Sequence, residues 1–247
     1  MLSLHGKITG GSRGIGAAVA LDLGKAGAHV LMVYTSPSSK LKSESIALEI
    51  QKSGGVQPAI VQGDVGAADI GETLAKAVKE HFSNGKVDIL VHNAGVSIDF
   101  ALPDVSPADW QNVMNINVRG PFFITQALEP SFSENARIIF SSSVSARAGF
   151  VDDSAYGGSK AAIEAYIKSW PKEQWARSRK ITVNGLSIGP CETDMFAAIP
   201  AESQAGFREN PVADPQDISN IVMLLCNPLS AWINGSIVNA NNAMLTN

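Results

Sequence analysis

Between residues 9 and 16 the chain reads Thr9-Gly10-Gly11-Ser12-Arg13-Gly14-Ile15-Gly16, a glycine-rich turn. It opens into Ala17–Gly27, which has helical spacing: Val19, Leu21, Leu23 and Ala26 are candidate packing residues, and Gly27 can end the helix. His29 to Tyr34 follows as a short apolar strand. Turn, helix and strand in this order fit a nucleotide-binding unit, with phosphates resting on the helix N-terminus. The spacing is Gly-x-x-x-Gly-x-Gly, not the better-known Gly-x-Gly-x-x-Gly. Taken alone, the cluster fits equally a tight turn that needs small residues.

Further along, apolar strand-like runs keep alternating with helical patterns. Helices are expected over about Lys40–Lys52, Asp69–Phe82, Pro107–Gln126, Ser154–Arg177 and Pro215–Leu225. The third should bend near Gly120-Pro121, and Pro171 should kink the fourth. Strands are expected at Pro58–Gln62, Val87–His92, Arg137–Phe140, from Ile181, and at Gly235–Asn239. This alternation argues for an α/β fold of Rossmann type, a doubly wound parallel sheet covered by helices on both faces. Ligands then sit beyond the C-terminal strand ends. No linker or repeat divides the 247 residues, so a single domain over 1–247 is expected.

Composition removes several function classes. Hydrophobic residues make up 45% and charged residues 17%, with a net charge of −4, so nucleic acid is a poor candidate partner. Arg177-Ser178-Arg179-Lys180, the most basic patch, reads as the solvated end of a helix. No apolar run approaches the roughly 20 residues of a membrane helix, and the N-terminus lacks a secretory core. Cys191 and Cys226 have no metal-ligand spacing, so no metal is expected. A reduced, cytoplasmic protein with two free thiols is the expectation. Trp110, Trp170, Trp175 and Trp232 read mainly as packing residues.

Tyr156-Gly157-Gly158-Ser159-Lys160 carries the chemistry. A tyrosine and a lysine four apart on a helix share one face. A nearby ammonium is expected to stabilise the phenolate and lower its pKa, making a proton donor suited to carbonyl reduction. With the glycine turn, this pair resembles the short-chain dehydrogenase/reductase family over nearly the whole chain. Asn93-Ala94-Gly95, Asn117 within Asn-Ile-Asn-Val-Arg-Gly, Ser141-Ser142-Ser143 and Gly189-Pro190-Cys191-Glu192-Thr193 follow in the family's order. The general flavour is close to its 3-oxoacyl-carrier reductases and fungal aromatic polyketide reductases.

The resemblance implies site residues. Tyr156 would be the general acid, and Lys160 would tune it and hold the nicotinamide ribose. Ser143, thirteen residues before Tyr156, would hydrogen-bond the substrate carbonyl, and Asn117 would hold a proton-relaying water. Gly10, Ser12, Arg13, Gly14, Ile15 and Gly16 would take the phosphates. Asp64 and Val65 would border the adenine, and Asn93, Ala94 and Gly95 would line the cofactor. Gly189, Cys191 and Thr193 would form the carboxamide loop. A NAD-preferring site usually has an acid about 20 residues beyond the glycine turn. Here Tyr34, Thr35 and Ser36 stand there without an acid, and Arg13 adds positive charge, which favours NADP(H). The expected substrate is a small ketone or alcohol, and the expected assembly a homotetramer or homodimer packed through the Pro107–Gln126 and Ser154–Arg177 helices. An alcohol dehydrogenase working in oxidation and a non-catalytic NADPH sensor remain as alternatives.

Departures from the family pattern generate further expectations. The first strand, Gly6-Lys7-Ile8 with Leu2 and Leu4 further back, lacks about three residues of the family's usual run, and Lys7 fits a buried strand badly, so either the strand is short or Lys7 sits at its edge. A damaged cofactor site is therefore a third alternative. Ile188 replaces the usual proline before Gly189, and Asn241-Asn242-Ala243-Met244 replaces a glycine-rich end. Pocket residues should come from 97–102, 146–152 and 196–210.

Overall fold

A computed structural model describes residues 5–209 and 211–246. Leu2 and Leu4, invoked above for the first strand, and Asn210 in the variable segment lie outside the described residues.

In chain order the elements are β1 (His5–Thr9), α1 (Gly14–Lys25), β2 (His29–Tyr34), α2 (Pro37–Lys52), β3 (Ala59–Gln62), α3 (Ile70–His81), β4 (Val87–His92), α4 (Pro107–Met114), α5 (Gly120–Leu128), β5 (Phe132–Ser143), α6 (Ser145–Ala148), α7 (Ser154–Ser169), α8 (Gln174–Arg177), β6 (Thr182–Ile188), α9 (Asp194–Ala197), α10 (Ala201–Phe207), α11 (Pro215–Cys226) and β7 (Ile237–Ala240). The strands form one seven-stranded sheet in the order β3-β2-β1-β4-β5-β6-β7. Every pairing is parallel. The chain winds outward from β1 to β3, then returns to β4 on the other side of β1. The C-terminal ends of β1 and β4 thus flank the topological switch point, where such sheets bind ligands. Among the described residues no helix is long and apolar enough to cross a membrane.

Apolar side chains fill both faces. One cluster joins Leu31, Leu74, Leu90, Ile124, Ile138, Phe140 and Ile163 beneath α3, α5 and α7. The other joins Val19, Val30, Met32, Val91, Leu186 and Val222 beneath α1 and α11. Capping sets several helix starts. The Ser36 hydroxyl accepts from the Ser39 N–H and Pro37 occupies the first turn, so α2 begins three residues before the expected Lys40. Asp214 and Asp217 form a reciprocal capping box on α11.

Three expectations on helices and charge need correction. The Pro107–Gln126 helix is interrupted earlier than Gly120-Pro121, by a π turn at Asn115–Arg119. The Ser154–Arg177 helix does not continue through a kink. It ends at Ser169, because Pro171 removes an N–H and forces a 3₁₀ turn at Trp170–Lys172 before the short α8. Arg179 is not merely solvated: its Nη1 donates to the Glu129 carbonyl at 2.7 Å and its Nη2 pairs with the Glu129 carboxylate.

The first strand carries the largest correction. β1 is complete enough to pair with β2 from His5 to Thr9 and with β4 from Gly6 to Thr9. Lys7 is not at an edge. It lies opposite Leu31 and Leu90 in the middle of the sheet, fully buried, and its Nζ has no hydrogen-bond partner among the described residues. Burial drives the Lys7 ammonium well below its ordinary pKa. The neighbouring His92 is also buried; its Nε2 meets the Thr125 hydroxyl at 2.8 Å while its Nδ1 has no partner among the described residues. Burial and then Lys7 push His92 down to about 3.

Burial favours the neutral form of the Lys7 amine, so folding opposes its protonation. The unfolded state binds the extra proton, so stability rises with pH between the lowered native pKa and the unfolded value near ~10.4. Lys7→Met should therefore raise the melting temperature at pH 7. The gain over the native sequence should shrink as pH approaches 10, measured by circular-dichroism melts across that range. A constant gain would show that packing, not protonation, sets the effect.

Candidate active site

At the switch point the glycine turn is held against the end of β4. The Thr9 hydroxyl accepts from the Asn93 and Ala94 N–H groups at 3.0 and 3.1 Å, and Asn93 Nδ2 donates to the Gly10 carbonyl at 3.3 Å. Gly10 and Gly14 have φ of +67° and +52°, conformations that side chains resist. A Cβ on Gly16 would stand 2.2 Å from the Gly10 carbonyl oxygen. Ser12 is buried and Ile15 half-buried within the turn. α1 starts at Gly14 behind Arg13, with no side chain capping its N–H groups. An uncapped helix start behind a turn that excludes side chains suits the phosphates of a dinucleotide. The site's residues therefore fit a nicotinamide dinucleotide.

Around this cradle, Tyr34 ends β2, Thr35 is exposed, and Ser36 caps α2 with its hydroxyl 2.9 Å from those of Ser38 and Ser39. Asp64 Oδ1 accepts from the Gly66 N–H at 2.8 Å. Val65 turns its side chain into the core, which leaves its main chain for any ligand contact. Gly189 donates to the Ala240 carbonyl, and a Cβ there would meet Asn241 at 3.0 Å. Cys191 is buried and bridges to Ala213, and burial ahead of three nearby carboxylates pushes its thiol up to about 12, so it is no nucleophile. Thr193 caps α9, and its methyl would lie 3.0 Å from a Cβ on Gly14, so this loop rests on the glycine turn.

The three serines at the end of β5 diverge. Ser141 donates to Asn93 Oδ1 at 3.2 Å, Ser142 donates to Glu164 at 3.2 Å, and the Ser143 hydroxyl accepts from the Ser145 N–H at 3.2 Å while acting to lower the Tyr156 pKa. Lys160, one turn beyond Tyr156 on α7, donates to the Ser141 carbonyl at 2.7 Å with its Nζ 5.4 Å from the Tyr156 ring centre. A Cβ on Gly95 would lie 3.3 Å from Asn117 Oδ1 and 3.4 Å from Lys160 Nζ, so these three residues converge. The structure thus brings Asn93, Gly95, Asn117, Ser143, Tyr156 and Lys160 to the ends of β4 and β5, beside the glycine turn.

Two expected roles change. Asn117 spends its side chain on protein: Oδ1 accepts from the Val96 N–H, and Nδ2 donates to the Val96 carbonyl and the Ser159 hydroxyl, each at 2.9 Å. The net shift of Tyr156 is upward, not the lowering expected from Lys160. Burial raises the phenol to about 12, against the Ser143 hydrogen bond, and Asp153 and Asp99 raise it further. Burial brings Lys160 down to about 8.

Sequence reasoning passed over Asp153 and Ser159. Asp153 lies three residues before Tyr156, a helical spacing that signals contact. It is buried, with one carboxylate oxygen lacking a partner among the described residues, and burial holds its own pKa up. Ser159 joins Asn117 to the Tyr156 carbonyl.

A family model described as Enoyl-(Acyl carrier protein) reductase matches residues 10–242. The short-chain dehydrogenase/reductase FrzI of Cladobotryum sp is 37% identical over 250 residues, covering 97% of this chain and 95% of that protein. The chain belongs to the short-chain dehydrogenase/reductase family. Hydroxynaphthalene reductase-like protein Arp2 of Metarhizium brunneum is 34% identical, covering 96% of this chain and 94% of its own. Among solved structures, the angucycline C-6 ketoreductase LanV with bound NADP superposes with a TM-score of 0.90 at 30% identity, covering 97% of this chain and 94% of that one. This short-chain dehydrogenase/reductase is thus an oxidoreductase with reductases among its relatives.

Two measurements follow from the geometry. Gly16→Ala should abolish dinucleotide binding in a fluorescence titration and destabilise the fold by about 1–3 kcal/mol, since backbone must shift to admit the methyl. Asp153→Asn should lower the pKa of Tyr156, read as the phenolate absorbance absent from Tyr156→Phe, because a negative charge that opposes phenolate is removed. An unmoved titration would exclude Asp153 from the electrostatics of the site.

Proposed function

We propose that this protein is an NADPH-dependent reductase that converts a ketone to a secondary alcohol, with Tyr156 as proton donor. The carrying observation is the Ser143–Tyr156–Lys160 constellation, with a phenol that stays protonated at neutral pH. When bound, the nicotinamide supplies the hydride. The chain supplies position and a proton. The Ser143 hydroxyl orients the carbonyl oxygen toward Tyr156, and the Tyr156 hydroxyl gives its proton to the alkoxide as it forms. Lys160, still largely an ammonium at pH 7 with a pKa of about 8, favours that transfer by its charge. The absence of an acid at Tyr34-Thr35-Ser36 supports NADP(H), as does the NADP in the LanV complex.

An aromatic ketone of the polyketide type is the substrate class we favour. The names of LanV and Arp2 support it. So does an aromatic cluster joining two variable segments: Phe207 lies 5.5 Å from Phe150 and 6.3 Å from Phe196, ring centre to ring centre. Assembly into a dimer or tetramer is supported by the outer face of α4, α5 and α7. There Trp110 and Phe123 stand exposed beside Met114, Phe122 and Tyr166, where the sequence suggested a packed Trp110. Trp232 is likewise exposed, while Trp170 is buried.

The test is NADPH oxidation with a panel of aromatic ketones, quinones and 3-oxoacyl thioesters. Tyr156→Phe should bind NADPH as tightly as the native protein and lose turnover by about 10²–10⁴-fold, the usual share of a positioned general acid. Full turnover by that variant would sink the assigned mechanism.

A further inference from the structure

Glu164 is a carboxylate on α7 that the chemistry above does not use, and it is buried to 4% exposure. It lies two helical turns beyond Tyr156, on the helix face that also carries Lys160. Three elements meet there. Glu164 Oε1 accepts from the Ser142 hydroxyl at the end of β5, at 3.2 Å. Both its oxygens accept from Arg147 of α6: Nε donates to Oε2 at 3.1 Å and Nη2 to Oε1 at 3.2 Å. Lys168, one turn further on, stands 3.9 Å from Oε2 but is well exposed. Ser142 immediately precedes Ser143, and Arg147 follows Ser143 by four residues. One carboxylate therefore fastens both flanks of Ser143 to the helix that carries Tyr156.

We infer that Glu164 is a positioning residue, which aligns the Ser143 hydroxyl with the Tyr156 phenol so that both address one carbonyl oxygen. This rests on the roles given to Ser143 and Tyr156 above. The chain between the two supplies no rigid spacer. Residues 149–153 form neither helix nor strand, and Gly149 and Asp152 take φ of +69° and +59°. The backbone beside Ser143 is held by Lys160 at the Ser141 carbonyl and by the Ile188 carbonyl at the Val144 N–H. Glu164 adds the tie that joins the strand end, α6 and α7 through side chains. An apolar residue of similar volume often costs less than a buried ion pair. What the carboxylate adds is direction, because a two-pronged pair with a guanidinium fixes the orientation of both partners. Glu164 acts on the reaction only through Ser142 and Arg147.

The experiment measures kcat, KM and the dissociation constant of NADPH for Glu164→Gln, Ser142→Ala and the double variant. Glu164→Gln is also made in a Tyr156→Phe background, and the substrate is the panel ketone that the native protein reduces fastest. Glu164→Gln should lower kcat by roughly 10–100-fold, the cost of slightly misplacing a reacting group, with NADPH binding unchanged. Ser142→Ala should lower kcat severalfold, and the double variant should be no slower than Glu164→Gln, since both cut one path. In the Tyr156→Phe background Glu164→Gln should cost nothing more, because no phenol remains to be aligned. A merely structural role would carry its loss of rate into that background as well. Native kcat in Glu164→Gln, an additive double variant, or an undiminished loss in the Tyr156→Phe background would overturn the inference while the reductase reading stands. If melting shows that Glu164→Gln does not fold, Ser142→Ala reads the same tie, and native kcat there overturns the inference. A native protein that reduces none of the panel, or native turnover by Tyr156→Phe, would instead overturn the reading on which it rests.

Discussion

The seam between Gly10 and Asn93 is the contact on which the rest depends. Asn93 Nδ2 donates to the Gly10 carbonyl, and Asn93 Oδ1 accepts from the Ser141 hydroxyl. The Ser141 carbonyl then accepts from Lys160. One continuous hydrogen-bonded path therefore runs from the glycine turn, across the ends of β4 and β5, to the middle of α7. The glycine turn and the Tyr156–Lys160 pair share it. A shift at either end is felt at the other, which explains why buried polar groups occupy strand ends where apolar residues would pack more easily.

Electrostatics then divide the labour within the site. Burial acts on Tyr156 and Lys160 in opposite directions, because each is driven toward its neutral form. The phenol reaches about 12 and the ammonium about 8. At neutral pH this leaves a protonated tyrosine beside a lysine that is still mostly charged. Asp153 and Asp99 favour the protonated tyrosine further. At the opposite end of the cleft, the charges of Arg13, Lys42 and Asp194 lie in solvent, where they are screened and exchangeable. Tyr156 and Lys160 thus lie in a low-dielectric interior, and Arg13, Lys42 and Asp194 at the solvent-exposed surface.

Lys7 shows how much strain the sheet centre tolerates. Its amine lies in the same apolar layer as Leu31 and Leu90, close enough to depress His92. The pairing of β1 with both neighbours survives, since the backbone ladder needs no particular side chain. The penalty falls on overall stability, and the glycine turn that follows Thr9 keeps its place.

The alternation of strands and helices, the glycine turn and the order of the short motifs determined the parallel sheet and its family, because period and turn chemistry are local properties. The spacing of Tyr156, Lys160 and Ser143 likewise belongs to one helix and one strand end. The tertiary structure alone decided what depends on neighbours distant in sequence. It put Lys7 in the interior, since β2 and β4 close over it. It raised Tyr156, since burial and Asp99 act through space. It engaged the Asn117 side chain with Val96 and Ser159, and tied Arg13 to Asp194, 181 residues away. Local sequence carries no record of such encounters, because the charge and burial that a side chain meets are properties of the assembled fold.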